Sequence, residues 1–136
     1  MTNGGNTWGV SFSHISWFDR LVRTHANVTN VTRHDDLVFE LDRKAQQDHL
    51  TAFCCNEYTM GITSVQRALS EFGNLNIVYI GGGWCGYTRE AKQFCLDSKI
   101  GLYVTDEMSG ALWKDEFWDY HQKDREGNPL YRFRAA

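Results

Sequence analysis

The sequence predicts a mixed α/β fold: a central sheet that starts as a three-strand meander, continues through strand-helix-strand units, and is flanked by helices. Two patterns carry this. Before residue 60, short β-branched or alternating runs follow one another with only turn-like residues between them, the signature of an antiparallel meander. After it, apolar residues recur at helical spacing and the helical stretches alternate with short buried strands, which implies parallel pairing through right-handed crossovers. Size agrees with one domain over 1–136: the chain has 136 residues, against about 100–200 for a typical domain. Its 5 Trp, 6 Tyr and 8 Phe, with a single Pro, rule out a disordered tail.

The elements follow in order. Ser16, with Asp19 three residues on, resembles a capping box and opens a helix carrying Trp17, Phe18, Leu21 and Val22 on one side. Val28 to Thr32 alternates as a strand, Leu37 to Leu41 reads as a second, Asp42 to His49 as a polar turn, and Leu50 to Cys55 as a third, buried strand. Ile62, Val65, Leu69 and Phe72 form one helical stripe and Gly73 stops it, so a helix spans 61–72. Asn76 to Ile80 is a buried strand ending in Gly81-Gly82-Gly83. A helix over 88–99 buries Ala91, Phe94 and Cys95, and Leu102 to Val104 is the next strand. From Asp106 a short amphipathic helix carries Met108, Ala111, Leu112 and Trp113. A turn at Gly127-Asn128-Pro129 then leads to an edge strand, Leu130 to Phe133.

Charge and composition exclude several classes. With 14 Lys and Arg against 17 Asp and Glu the formal net charge is -3, so no global positive field holds nucleic acid or an anionic membrane, and any nucleic-acid contact must be local. The longest apolar runs, such as Asn76 to Ile80, fall far short of the roughly 20 residues of a membrane span. The start, Met1-Thr2-Asn3-Gly4-Gly5-Asn6, has no basic region ahead of an apolar one, and a cytoplasmic location is expected. Cys54, Cys55, Cys85 and Cys95 are expected as small buried hydrophobes rather than disulfides.

The order helix, three-strand meander, helix, strand, helix, strand resembles the restriction-endonuclease-like (PD-(D/E)xK) fold. The stretch from Asn76 to Tyr103 resembles the second half of its Mrr-type core: a strand ending in small residues, Thr88 capping the next helix, Ala91 packing it on the sheet, and Ile100-Gly101-Leu102 opening the following strand. The resemblance implies a nuclease-like core over 13–105 with an aromatic C-terminal extension over 106–136. It also implies a nucleic-acid-associated protein of a bacterial mobile element or defence system. Activity in that family needs an acidic residue near the second meander strand and an acid-x-Lys triplet on the third, which hold Mg²⁺ and stabilise the developing charge. Here the third strand reads Phe53-Cys54-Cys55-Asn56-Glu57, with no Lys. Asp36, Glu40 and Glu57 are the remaining candidate catalytic and metal-binding carboxylates, with Mg²⁺ as cofactor if catalysis survives; otherwise they are solvated strand-end groups. The expectation is a degenerate, inactive nuclease domain.

Other readings concern particular segments. The glycine triplet between strand and helix suggests an anion or nucleic-acid contact by Gly82, Gly83, Trp84, Tyr87, Thr88 and Arg89, since free backbone N–H groups and a helix dipole favour phosphate; the alternative is simply a tight turn. Strand, Trp84-Cys85-Gly86-Tyr87-Thr88, helix also resembles a thioredoxin-like or monothiol glutaredoxin site, but Thr88 stands where a resolving Cys belongs. Trp113, Phe117, Trp118 and Tyr120 either fill a second small core or form the interface of a homo-oligomer. The alternative function is therefore a non-catalytic binding or assembly module acting as a homo-oligomer.

Overall fold

The structure, a computed structural model, describes residues 6–135. Helix α1 spans Phe12–Thr24 and starts a turn earlier than the Ser16 box implies: Ser11 is the N-cap, its hydroxyl accepting from the His14 amide at 3.2 Å. That extra turn buries Ile15 beside Phe18 and Val22 and leaves Trp17 outward, 45% exposed.

The meander follows as β1 (Val28–His34), β2 (Val38–Arg43) and β3 (Asp48–Cys54), each pair antiparallel. The β2–β3 turn is shorter than the polar run Asp42 to His49 suggests. Arg43 and Asp48 are cross-strand partners joined by two hydrogen bonds, at 2.9 and 2.7 Å, and hold the strands paired to their ends. After β3 come β4 (Thr59–Met60), α2 (Ile62–Phe72), β5 (Ile77–Tyr79), β6 (Gly86–Tyr87), α3 (Arg89–Asp97), β7 (Gly101–Tyr103) and α4 (Thr105–Ala111). The five-stranded sheet runs β1-β2-β3-β5-β7, antiparallel through β3 and parallel beyond it. The mixed sheet and the strand-helix-strand units thus stand as the sequence predicts.

Alternation along the strands assigns the two faces. Phe18 packs on Phe39 and Tyr79, so α1 covers one face; Phe72 of α2 packs on Phe53, so α2 covers the other, with α3 beside it. One continuous apolar core joins both faces to Met108, Ala111 and Leu112 of α4 and to Phe117.

Two features lie outside the sequence reading. A small parallel pair, β4 with β6, ties the segment after β3 to the glycine loop. The final edge strand is not formed from Leu130 to Phe133: Pro129–Leu130 (β9) pairs only with Gln122–Lys123 (β8), and Phe133 makes an isolated bridge to Tyr87. All four cysteines are free. Among the described residues no helix is long and apolar enough to cross a membrane.

Candidate functional site

Strand register brings one set of chain ends together. The partners His34, Val38, Phe53, Val78 and Leu102 form a row across the sheet, so the β1–β2 turn and the carboxyl ends of β3, β5 and β7 share one end. Ligands of parallel-sheet proteins bind outside the carboxyl ends of the strands, and most of the expected site residues lie here.

The three candidate carboxylates are divided among separate partners. Asp35 and Asp36 both adopt positive φ (52° and 59°), a conformation Asp tolerates in a tight turn, here the three residues between the paired His34 and Val38. The Asp36 carboxylate, buried, accepts from Arg33 at 3.2 Å, and Arg33 also donates to the Asp36 carbonyl at 2.8 Å, so Asp36 serves to close the hairpin. Glu40 lies further along β2, where its two oxygens take His34 Nε2 and His49 Nε2, each at 2.8 Å, and His49 Nδ1 meets Asp42 at 2.7 Å. The His49 hydrogen bond does most to hold the Glu40 carboxyl below its ordinary range, while Asp42 and Glu40 raise the His49 imidazole. Glu57 follows β3, its amide donating to the Ile80 carbonyl at 3.0 Å; burial pushes its carboxyl up, against the pull of Arg67. Among the described residues no group of three or more His, Cys, Asp or Glu is placed to hold a metal ion. The residues present therefore do not fit the Mg²⁺ that the resemblance implies.

A different cluster does converge at this sheet end. Gly81 has φ +126°, and a Cβ there would sit 2.7 Å from Cys85 Sγ, 2.8 Å from Asn56 Oδ1 and 3.6 Å from His14 Cε1. Only glycine lets these three side chains approach. The Cys85 thiol donates to Asn56 Oδ1 at 3.6 Å. His14 stacks on Tyr79 and places Nε2 3.0 Å from the Cys55 carbonyl, so Nε2 carries the proton and Nδ1 is the acceptor of a neutral ring. Burial lowers His14 and raises Cys85, with Arg134 opposing the latter. Each group is thus held neutral, the reverse of an activated thiolate–imidazolium pair. Nor does Cys85 open a helix, as the thioredoxin-like resemblance requires: Thr88 is the N-cap of α3, and Gly86–Tyr87 between them is strand.

The stretch that follows the glycines is tied to its neighbours by backbone hydrogen bonds. Cys85 N donates to Gly82 O at 3.0 Å, Gly86 N to Tyr58 O at 2.9 Å, Tyr87 N to Arg132 O at 3.0 Å and Thr88 N to Met60 O at 3.0 Å. These amides are already satisfied and have no proton to offer an anion. Tyr87 and Thr88 are buried; the Tyr87 hydroxyl donates to Glu107 at 2.6 Å, and the Thr88 hydroxyl accepts from Ala91 N at 3.1 Å. What remains open is side-chain surface: Trp84 is 83% exposed, Tyr58 62%, and Arg89 is exposed as well. Arg134 joins two of these, its guanidinium 3.9 Å over the Tyr58 ring while donating to the Tyr58 hydroxyl at 2.7 Å and to the Trp84 carbonyl.

The C-terminal aromatics are mostly internal. Phe117 is buried, Trp118 and Tyr120 pack against the core, and the Tyr103 hydroxyl donates to the Phe117 carbonyl and accepts from Tyr120 N at 3.2 Å. The segment folds back over β7 and satisfies itself, so of the four expected interface residues only Trp113 is exposed, at 51%. His14, Asn56, Tyr58 and Arg134 are the site residues that sequence reading missed. Tyr58 and Asn56 sit in a loop without periodicity, and Arg134 reads from sequence only as edge-strand protection. Compared with family models, curated proteins and solved structures, the chain has no match.

Proposed function

We propose that the chain is a nucleic-acid-associated domain on a restriction-endonuclease-like scaffold, without metal-dependent cleavage. The element order supports the scaffold: α1, the β1–β2–β3 meander, α2, β5, α3 and β7 succeed one another as in that fold. The observation that carries the functional half is the end of β3. Where an active member needs acid-x-Lys, Cys54 is buried in the core, Cys55 is buried, Asn56 faces Cys85, and no lysine is present. Removing one electrostatic donor at a transition state typically costs on the order of 10²–10³ in rate, and here the metal ligands are missing too. The exposed Trp84 and Tyr58, with the half-buried Arg134, beside that strand end supply a local contact surface in a chain whose global charge offers none.

Fluorescence anisotropy with labelled single-stranded and duplex oligonucleotides, in Mg²⁺ and in a chelator, tests this. Micromolar binding that is indifferent to the metal is expected. Failure to bind either form, or Mg²⁺-dependent cleavage abolished by Glu57→Ala, would overturn it.

A second reading, a self-assembling module, draws on a different surface. Strand β1 is a sheet edge, and neighbouring α1 turns Phe12 and Trp17 outward, 52% and 45% exposed. Light scattering decides it: a mass of 15.7 kDa at micromolar concentration leaves the protein a monomer and excludes this reading.

A further inference from the structure

We propose that Trp84 and Tyr58, braced by Arg134, form a stacking platform for unpaired nucleotides; this rests on the nucleic-acid reading above and specifies its ligand as single-stranded. A lone exposed aromatic needs no explanation. Here the segments that carry two of them are tied to one guanidinium. Arg134 sits 3.9 Å over the Tyr58 ring, donates to its hydroxyl and donates to the backbone carbonyl of Trp84, so the loop after β3 and the turn after β5 are joined where their rings emerge.

The brace is itself seated. Tyr87 N donates to Arg132 O at 3.0 Å and Arg134 N to Tyr87 O at 2.8 Å, which anchors the tail along β6. Gly86 makes room for it, since a Cβ there would meet the Arg132 carbonyl at 2.5 Å and Arg134 Cγ at 2.6 Å. Arg134 Nε is buried without a hydrogen-bond partner, and among the described residues neither Arg134 nor Arg89 has a carboxylate in ion-pair range. Arg89 repeats the pattern, its guanidinium 4.2 Å over Phe133, and with Arg134 and one carboxylate, Glu90, it lines a groove of about 510 Å³.

Two guanidiniums with no carboxylate in ion-pair range among the described residues, beside two open rings, complement a polyanion that carries flat faces. A protein or small-molecule anion offers the charge without a succession of faces. A duplex offers the charge but keeps its faces stacked away. Unpaired nucleotides offer both, because every base has a face for an aromatic ring and every link a phosphate for an arginine.

The test uses anisotropy with a single-stranded oligonucleotide of roughly 12 nucleotides, the same length abasic, and the matching duplex. The single strand should bind best, with the abasic chain weaker by about tenfold. Trp84→Ala should also weaken single-strand binding about tenfold, which is about 1.4 kcal/mol, and Arg134→Gln should lower the salt dependence by about one phosphate contact. Trp113→Ala, an exposed tryptophan elsewhere, should change nothing. Melting curves of each variant establish that the fold is retained; if Arg134→Gln unfolds, Tyr58→Ala replaces it, with an expected loss of about tenfold in single-strand binding. Equal binding by the abasic and intact strands, or equal effects of Trp84→Ala and Trp113→Ala, overturns the platform. If the duplex binds best and Trp84→Ala is silent, nucleic-acid association stands and the platform falls; if no oligonucleotide binds, both fall.

Discussion

Lys92 shows how a single residue can run against its usual surface role. Its ammonium is buried, donates only to the Leu102 carbonyl at 2.9 Å, and sits against the rings of Tyr103, Tyr87 and Tyr131 at 4.4, 5.0 and 5.7 Å. Ring faces favour the cation, as does Glu107 at longer range, but loss of water outweighs them and brings the group down to about 8. The folded state then binds fewer protons than the unfolded chain between pH 8 and the ordinary value of 10.5. The lysine's own contribution to stability should therefore rise as pH climbs through that window, by an amount on the order of 3 kcal/mol if the window were complete. Burial works in the opposite sense at the four cysteines, whose thiols are all held up, so that the unfolded chain sheds their protons first from about pH 8, and at Tyr87 and Tyr103 from about pH 10. The lysine is therefore read from a difference: urea unfolding from pH 7 to 9.5 should show the stability of the native protein rising relative to that of Lys92→Met. A difference that does not change with pH would mean the lysine is solvated. Sequence reading assigned Lys92 no role: on a helix stripe of Ala91, Phe94 and Cys95, a neighbouring lysine normally faces water.

At the scale of elements, the β2–β3 hairpin and α4 are joined through Arg43. Its side chain has no exposure, pairs with Asp48, and donates to the carbonyls of Leu112 at 3.3 Å and Lys114 at 2.6 Å, where α4 ends. Those last carbonyls lack helical partners, and a cation there also answers the helix dipole. Arg43→Leu leaves both carbonyls and Asp48 without a donor, and should cost on the order of 3 kcal/mol. Asp48→Asn should cost less, because Asp48 is 37% exposed and water can replace its partner. Chemical denaturation of the two variants checks the order, and equal costs would show that the carbonyl contacts contribute nothing. The strands and helices themselves were legible, since alternation and helical stripes are local. The turn between β2 and β3 was misjudged because a buried arginine and a solvated one look alike in a polar run. The start of α1 was misplaced because Ser11 and Ser16 are both competent caps, and only burial of Ile15 in the core chooses between them.

Across the whole molecule, the order of elements carries more information than the expected active site. The sheet could be read in advance because Leu50 to Cys55 and Asn76 to Ile80 are too short and too apolar to lie anywhere but its centre. The site could not, because convergence depends on register: Asp36 is drawn into its hairpin by Arg33, Glu40 into a histidine pair, and Glu57 is left at the β3 exit. The C-terminal aromatics read from sequence as either core or interface for the same reason, since nothing local reveals that their segment folds back over β7. What the assembled end of the sheet offers is an exposed Trp84 and Tyr58 with arginines, and no metal site among the described residues. The central claim is binding without cleavage, and one reaction measures both halves. A labelled oligonucleotide, single-stranded or annealed to its complement, is incubated with the protein in Mg²⁺ and divided between a native and a denaturing gel. A shifted band on the first and an intact strand on the second are predicted; no shift with either form, or a strand that is cut, contradicts the claim.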